Sequence, residues 1–309
     1  MNKLNSKCGG CHKLFSWVNS PICAMIPCNH LKHIACRDNN ICPSCNNPYT
    51  DIITLETADK HSQIYHDIKS MSLNYAYAFS WSYYIYHLPN MLDDITKFVM
   101  INDKAQADII ANNMFNNMNI KITTHNEHII NNVRGPRIYI CNHISDVDGL
   151  FIWYVTRCGA LVSSKVINTF MGKKVSQFMP LLAIDRGQNK NTVEAIKSYL
   201  KSNDSIVIFP EGMVHHPDYL IDFRTGAFYC DVPIIPIVLH IDGLATFPID
   251  VPHHNIAWLY SQHQKHISLT FCEPQYPPFT SANIEYTRNI MAHTGQLALS
   301  RVSSRDGAD

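Results

Sequence analysis

Hydrophobic residues recur in two different patterns along most of the chain. The spacing of Ile110, Met114 and Met118 predicts a helix, as does that of the apolar residues in NTVEAIKSYLK, and a further helix is predicted around 168–178. Short apolar runs of strand length alternate with these segments. In chain order the runs are NIKITTH, RIYIC, LVSSK, LLAI, SIVIF, PIIPIVLHI and HISLTF. This alternation predicts an α/β fold in which helices flank a mixed, mostly parallel sheet.

The first 50 residues lack both patterns and are rich in Cys, His, Asn and Pro instead. Such a composition predicts a small domain that is held together by something other than a hydrophobic core. We therefore expect a small domain over 1–50, a helical connection over 51–103, the α/β domain over 104–280, and a helix and tail over 281–309.

The amino-acid composition and the net charge indicate which partners and which location to expect. The chain has 309 residues, of which 46% are hydrophobic and 16% are charged, and its formal net charge is +0. A balanced charge argues against nucleic-acid binding and against a polybasic membrane anchor. Seven of the 11 cysteines lie in the first 45 residues, and the segment MNKLNSKCGG has no apolar signal region. We therefore expect a reducing, cytoplasmic location.

Residues 71–92 form an uncharged stretch, MSLNYAYAFSWSYYIYHLPNML. The stretch is long enough to cross a bilayer, but its Tyr, Ser and Asn residues are unusual in a spanning helix. Two interpretations follow. The segment is either an interfacial helix that contacts a membrane near Trp81, or a helix that packs on the domain that follows it.

Residues 142–151, NHISDVDGLF, place a histidine and two acids between apolar runs. In one interpretation a strand ends here, and Ser145 or Asp146 caps the next helix. In the other, His143 is a general base and Asp148 is the acid that orients it. Five residues apart on one regular helix, these two side chains would point about 140° away from each other. Their pairing therefore requires His143 at the end of the strand and Asp148 in the first turn of the helix.

The proposed pair has no obvious serine or cysteine nucleophile beside it. Ser145 is close in sequence, but the segment does not form a G-x-S-x-G turn. The simplest chemistry is then direct. The histidine removes the proton of a substrate hydroxyl, and the hydroxyl oxygen attacks an activated acyl group.

Four segments at predicted strand ends resemble the motifs of the glycerolipid acyltransferases, the 1-acylglycerol-3-phosphate acyltransferase family, in the family's order. They are NHISDVD (142–148), IDRG (184–187), FPEG (209–212) and VPIIPIV (232–238). The resemblance covers about residues 119–275. It implies an enzyme of phospholipid biosynthesis or remodelling that transfers a fatty acyl group from acyl-CoA to the hydroxyl of a lysophospholipid.

The same resemblance implies roles for individual residues. His143 is the general base and Asp148 is its partner. Arg186 holds an acceptor phosphate, and Glu211 and Gly212 shape the acceptor site. The alternatives are that Arg186 is an ordinary surface ion-pair residue and that Glu211 is a structural cap. Because the substrates reside in a bilayer, we also expect peripheral attachment to the cytosolic face of a membrane.

The chain departs from the family pattern after FPEG. Many glycerophosphate-type members continue with Thr-Arg, whereas this chain has Met213 and Val214, which removes one potential phosphate ligand. An acceptor other than lysophosphatidic acid, or transacylation between phospholipids as in the tafazzin branch, is therefore an open alternative. His215 and His216 follow directly, and we expect them to be surface residues rather than a metal site.

The first 45 residues contain four pairs of cysteine or histidine residues with spacings typical of zinc ligands. They are Cys8 and Cys11, Cys28 and His30, His33 and Cys36, and Cys42 and Cys45. In this order they resemble a RING finger of the two-histidine kind, which implies two interleaved zinc ions. One ion would be bound by Cys8, Cys11, His33 and Cys36, and the other by Cys28, His30, Cys42 and Cys45. Cys23 is left over and is an alternative to Cys28.

RING fingers commonly ligate ubiquitin by recruiting a ubiquitin-conjugating enzyme, which is a second functional expectation. Gly9 and Gly10 stand where an aliphatic contact residue is usual, and Asn46 stands where a basic residue often follows the last ligand. A structural or partner-binding zinc module is therefore the alternative. In the rival account of the whole chain, the small domain is a ubiquitin ligase or zinc interaction module, and the larger domain binds lipid without catalysis.

Overall fold

A computed structural model describes residues 4–5, 8, 22–36, 40–71, 81–100, 104–185, 192–242 and 265–304. The strands are β1 (Leu4–Asn5), β2 (Ile22–Ile26), β3 (Leu31–His33), β4 (Asp51–Thr54), β5 (Ile120–His125), β6 (Arg137–Cys141), β7 (Gly159–Ser163), β8 (Leu181–Ile184), β9 (Ser205–Ile208), β10 (Tyr219–Asp222), β11 (Ile234–Ile241), β12 (Lys265–Phe271) and β13 (Ala298–Ser303). The helices are α1 (Gln63–Ser70), α2 (Trp81–Val99), α3 (Lys104–Asn117), α4 (His128–Asn132), α5 (Asp148–Thr156), α6 (Ser164–Ile167), α7 (Phe170–Val175), α8 (Thr192–Leu200) and α9 (Ser281–Gly295). A 3-10 helix spans Gly226–Tyr229.

The central sheet has seven strands in the order β5-β12-β11-β6-β9-β7-β8. Neighbouring strands are parallel except β11 and β12, which pair antiparallel. The prediction of a mixed, mostly parallel sheet is therefore confirmed. The carboxyl ends of β6, β9, β7 and β8 lie at one edge of this sheet, which is where folds of this class gather functional side chains.

Helices cover both faces of the sheet because its central strands are apolar on both faces. Along β6, Tyr139 and Cys141 pack in one core, whereas Ile138 and Ile140 pack in the other. The alternation follows from the two-residue period of a strand. The first core takes in side chains of α2, α3 and α5, and the second takes in side chains of α8 and α9.

The small amino-terminal domain extends beyond residue 50. β4 pairs antiparallel with β2 in a three-stranded sheet of order β3-β2-β4. The expectation of a helical connection over 51–103 is therefore wrong at its start, where β4 lies. Ile52 and Ile53 favour the extended conformation because their branched side chains pack well on a pleated surface, and they pair in register with Met25 and Ala24.

The carboxyl-terminal segment is part of the body of the protein. α9 is confirmed, but the expectation of a tail after it is wrong, because β13 lies between β1 and β10 in a three-stranded parallel sheet. Val302 of β13 is buried in a third core with Ile22 and Ile221. The amino-terminal domain therefore packs directly on the α/β domain.

α2 has one packed face and one exposed face. The packed face contributes to the first core, as the packing interpretation of this segment predicts. Ile85 and Tyr86 are 62% and 76% exposed on the other face. Across the described ranges, no helix combines the length and the hydropathy needed to cross a bilayer. Residues 72–80 and the side chain of Trp81 lie outside the described part of the chain.

Candidate active site and metal clusters

Asn142 anchors the loop that leaves the central sheet at the end of β6. Its Oδ1 accepts a hydrogen bond from the Leu239 nitrogen, and its Nδ2 donates one to the Leu239 oxygen, both at 2.8 Å. The buried amide thus replaces the backbone pairing that is lost where the strand ends. This fixes the next residue, His143, at the edge of the sheet.

The structure brings His143 and Asp148 together. Nδ1 of His143 lies 3.0 Å from Oδ2 of Asp148. The histidine follows β6 and the aspartate is the first residue of α5, as the pairing requires. The alternative in which Ser145 or Asp146 caps this helix is wrong, because Val147 occupies the N-cap and makes no side-chain capping bond.

The Asp148 carboxylate is fully buried, and the loop before it supplies further hydrogen-bond donors. Oδ2 accepts from the nitrogens of Ile144 and Ser145 at 2.7 and 2.9 Å, and Oδ1 accepts from the Ser145 hydroxyl at 2.5 Å. These bonds hold the carboxylate in one orientation against the His143 ring. In the neutral imidazole the proton is therefore placed on Nδ1, which leaves Nε2 as the acceptor nitrogen.

Phe209 fixes the plane of the His143 ring. The two rings are stacked, with centroids 4.2 Å apart and an angle of 19° between their planes. The His143 side chain remains 21% exposed, so one part of the ring is covered while another is accessible. The sequence signal for this role of Phe209 is its place at the start of FPEG.

Glu211 is fully buried and supports the backbone at His143. Its Oε2 accepts from the His143 nitrogen at 2.8 Å, and its Oε1 accepts from the Ile221 nitrogen at 3.0 Å. Glu211 lies in the turn between β9 and β10 and caps these two backbone N–H groups, which agrees with the structural-cap alternative. The contacts make it a positioning group for the loop that carries the histidine.

Gly212 is the residue that the FPEG turn requires for steric reasons. Its φ is +70°, a conformation that favours glycine. A Cβ at this position would lie 2.6 Å from Nε of Arg224 and 2.8 Å from Oγ of Ser304. Gly212 therefore lets the backbone approach these two side chains closely while Glu211 points inward.

His215 and His216 are buried, at 3% and 8% exposure, so the expectation that they are surface residues is wrong. Nε2 of His215 lies 2.6 Å from Oε1 of Glu211, and its Nδ1 lies 3.0 Å from the His216 oxygen. Burial lowers the pKa of His216 to about 4, with a smaller opposing effect of Asp218. His216 is therefore neutral near pH 7.

Met213 and Val214, which stand in place of Thr-Arg, also point into the protein. They are 1% and 3% exposed, and Met213 packs in the core shared with the amino-terminal domain. The departure from the family motif therefore exchanges polar side chains for an apolar contact with the small domain.

Arg186 and Gly187 of the IDRG segment lie outside the described residues. β8 ends at Ile184, just before them. Because β8 runs parallel to β7 and β7 runs parallel to β9, the carboxyl end of β8 opens at the same edge of the sheet as His143.

Cys141 precedes the motif directly but is not equipped to be a nucleophile. Burial raises the pKa of its thiol well above the ordinary value, and the nearby charges of Asp148 and Glu211 raise it further. The reactive form of cysteine is the thiolate. The Cys141 thiol therefore stays protonated, which agrees with direct attack by a substrate hydroxyl.

The amino-terminal domain contains two clusters of potential metal ligands. Ligand atoms of Cys28, His30, Cys42 and Cys45 all lie within 4.8 Å of one another. Those of Cys8, His33 and Cys36 do the same, and the fourth predicted ligand of that set, Cys11, lies outside the described residues. The clusters divide the residues as the interleaved assignment predicts, and they contain Cys28 rather than Cys23, which is buried on β2.

These clusters fit zinc by the chemistry of their donors. Thiolate sulfur and imidazole nitrogen are the ligands that structural zinc prefers, at distances near 2.3 and 2.0 Å. Four ligands around one such ion lie within about 4 Å of each other, which the observed clustering allows. Burial raises the pKa of the Cys42 thiol to about 12, so a cation is needed if this residue is to act as a thiolate.

Comparison with known proteins places residues 121–240 within the family model described as Acyltransferase. The chain is 29% identical over 125 residues to a lysophospholipid acyltransferase of Arabidopsis thaliana (34% of this chain, 29% of that protein). It is 26% identical over 184 residues to lysophosphatidylcholine acyltransferase 2 of Mus musculus (57% and 32%). It is 32% identical over 112 residues to a 1-acyl-sn-glycerol-3-phosphate acyltransferase of Cocos nucifera (33% and 36%).

The chain thus spans about a third of the length of these curated relatives. Among solved structures, it is similar to the 1-acyl-sn-glycerophosphate acyltransferase of Thermotoga maritima, with a TM-score of 0.47 and 14% identity, covering 70% of this chain and 92% of that one. The family match and the named relatives support the acyltransferase family for this part of the chain.

Proposed function

We propose, from the acyltransferase match of residues 121–240 and the geometry around His143, that this protein transfers a fatty acyl group from acyl-CoA to the hydroxyl of a lysophospholipid. The observation that carries the proposal is the 3.0 Å contact between His143 Nδ1 and Asp148 Oδ2 at the carboxyl end of a parallel strand. The names of the lysophospholipid and lysophosphatidylcholine acyltransferases support this class of acceptor.

In the proposed reaction His143 is the general base. With Nδ1 held by Asp148, Nε2 takes the proton of the acceptor hydroxyl while the hydroxyl oxygen forms a bond to the thioester carbonyl carbon. The carbon–sulfur bond then breaks, and the imidazolium returns its proton to the leaving CoA thiolate. The negative charge of Asp148 stabilises the imidazolium between the two proton transfers. Because the hydroxyl attacks directly, the reaction needs no acyl-enzyme.

The acceptor site is proposed from the family resemblance of three residues. Arg186 binds the acceptor phosphate, since a guanidinium has suitable charge and fork geometry. Glu211 and Gly212 shape the turn beside His143. Because Met213 and Val214 are buried and apolar, the turn supplies no second cation from these positions. One arginine suits the single negative charge of a phosphodiester head group better than a phosphate monoester, so we favour acceptors such as lysophosphatidylcholine over lysophosphatidic acid.

We also propose peripheral attachment to the cytosolic face of a membrane, because both the acceptor and the product reside there. The exposed side chains of Ile85 and Tyr86 support α2 as one contact. Burial of such side chains at the headgroup boundary stabilises an interfacial helix. Sedimentation with lipid vesicles, compared between wild type and Ile85→Ser, measures this contribution.

The main proposal is tested by measuring consumption of the acyl-CoA thioester. Purified protein is incubated with acyl-CoA and a panel of lysophospholipids, and release of CoA and formation of the diacyl product are both measured. A second arm supplies a phospholipid donor without acyl-CoA. If product forms only in that second arm, the reaction is transacylation between phospholipids rather than acyl-CoA-dependent transfer. His143→Ala is the control, and activity that survives this substitution contradicts the mechanism.

For the amino-terminal domain we propose that the two ligand clusters each bind one zinc ion. The ions would link the turn after β2, strand β3 and the following loop, in addition to the apolar contacts that the domain makes with the α/β domain. Recruitment of a ubiquitin-conjugating enzyme is the alternative function of this domain. Ubiquitin-chain formation with a set of conjugating enzymes, dependent on Cys42 and Cys45, would support it. No chains with any enzyme would favour a structural zinc module.

A further inference from the structure

His215 has no assigned role in the proposed reaction, yet both its backbone and its side chain contact the segment around His143. Its backbone nitrogen donates to the His143 oxygen at 3.2 Å. Its side chain reaches Oε1 of Glu211, and Oε2 of the same carboxylate accepts from the His143 nitrogen. Both peptide groups of His143 are therefore held by His215, one directly and one through Glu211.

The contacts of the His215 ring are satisfied when each ring nitrogen carries a proton. Nδ1 faces the His216 carbonyl at 3.0 Å, and a carbonyl oxygen can only accept, so Nδ1 carries a hydrogen. Nε2 lies 2.6 Å from Oε1 of Glu211, which is an ion-pair distance, although the geometry does not meet that of a hydrogen bond. Two lone pairs at this distance would repel each other. A proton between the two atoms removes this repulsion, and an imidazolium at His215 would supply it beside the buried carboxylate.

We propose that His215 is a positioning residue for the general base: its charge neutralises Glu211, so that Glu211 fixes the His143 backbone without adding its own negative charge to the site. This proposal rests on the proposed function of His143. Both side chains are completely buried, with 0% exposure each, so water does not screen the pair.

The ionisable groups around His143 and His215 determine the effect expected from replacing His215. The ionisable groups near His143 in the described chain include those of Asp148 on α5, Cys141 on β6 and Glu211 in the turn after β9. Those near His215 include the neighbouring His216, which interacts in turn with Asp218 and Lys69.

The two carboxylates would favour the imidazolium of His143 if both were uncompensated. Neutralisation of Glu211 by His215 keeps Asp148 as the main charge that acts on the base. Because the base must be neutral to accept a proton from the substrate, a second uncompensated carboxylate would oppose its action.

The test replaces His215 with glutamine, whose amide can still donate to Glu211 but carries no charge. We expect kcat to fall by about tenfold or more while KM changes by less than about threefold, since the substrate contacts remain and the base is misplaced. We also expect the acid limb of the pH–rate profile to move to higher pH by about one unit, as for one unpaired charge several ångströms away. His216→Gln, the same change at the adjacent buried position, should leave that limb in place.

A second substitution separates charge from packing. Adding Glu211→Gln to His215→Gln removes the uncompensated charge, so the acid limb should return toward its wild-type position even if kcat stays low. An acid limb that is unchanged in His215→Gln, or equally shifted in the double variant, overturns the proposal. Direct titration of the His143 ring by NMR provides the same comparison without turnover. If neither the wild type nor any variant transfers acyl groups, the proposed function is wrong. The NMR titration of the His143 ring still tests the role of His215 in that case.

Discussion

Substitution of Asp148 by asparagine tests the proposed dyad with the smallest change in shape. The amide oxygen can accept the backbone hydrogen bonds that Oδ2 now accepts from Ile144 and Ser145, and the Ser145 hydroxyl can bond to the amide nitrogen. The loop should therefore keep its course. The variant lacks only the negative charge 3.0 Å from the His143 ring.

The expected magnitude follows from the number and type of these bonds. Two backbone bonds to a charged acceptor become bonds to a neutral one, each weaker by roughly 1 kcal/mol, so the free energy of unfolding should fall by about 2 kcal/mol. Loss of the counter-charge for the imidazolium should raise the reaction barrier by roughly 2–4 kcal/mol, which corresponds to a fall in kcat of about 30- to 1,000-fold.

The assay combines denaturant unfolding with the rate of CoA release from acyl-CoA in the presence of lysophosphatidylcholine. Asp146→Asn is the matched control, because it makes the same chemical change at an exposed position two residues earlier. It should lower kcat by less than about twofold. A folded Asp148→Asn variant that retains a third or more of wild-type kcat would refute the argument that this carboxylate supports the base.

Other contacts give further predictions. Arg301→Ala should lower the free energy of unfolding by about 2–4 kcal/mol, because it leaves the fully buried carboxylate of Asp67 without its counter-charge. Lys97→Ala, at an exposed ion pair, should have a much smaller effect because water and salt screen that pair. Equal losses in urea unfolding would contradict the burial argument. The pKa of His216 is about 4 in the folded protein against 6.5 for the ordinary side chain, so the unfolded state binds more protons between these values and stability is lost as pH falls through that window. Relative to His216→Gln, the wild type should lose about 2 kcal/mol more unfolding free energy between pH 7 and pH 5, and parallel pH profiles would show that this histidine is not buried as a neutral ring. Metal analysis should return two zinc ions per chain in the wild type and one in Cys45→Ser, since each cluster is expected to hold one ion; zinc content that does not change in the variant would remove Cys45 from the ligand set.

The central sheet could be predicted from the sequence because its strands are short, apolar and separated by helical patterns. The contact between His143 and Asp148 was also accessible, since a five-residue spacing excludes one helix and leaves the strand-to-helix turn. β4 was missed because DIIT follows the cysteine-rich segment and has no alternating pattern of its own. Its strand conformation depends on pairing with β2, which is a tertiary contact.

The support of His143 by the turn after β9 could not be predicted from local sequence. His215 lies far from His143 along the chain and is buried by tertiary packing, which no local pattern of residues encodes. Phe209 of FPEG is a sequence signal for the stacking contact, because an aromatic residue at a strand end can stack on a histidine at the end of the neighbouring strand. Arg186 lies outside the described residues, so its predicted role stays a prediction.

The central claim is that His143 removes the acceptor proton while Asp148 holds its ring. The most direct measurement is the rate of CoA release from acyl-CoA with lysophosphatidylcholine as acceptor, compared between wild type and His143→Ala at equal folded concentration. We predict that the wild type releases CoA in step with formation of the diacyl product and that the variant is slower by a factor of about 1,000 or more. Equal rates in the two proteins would contradict the claim.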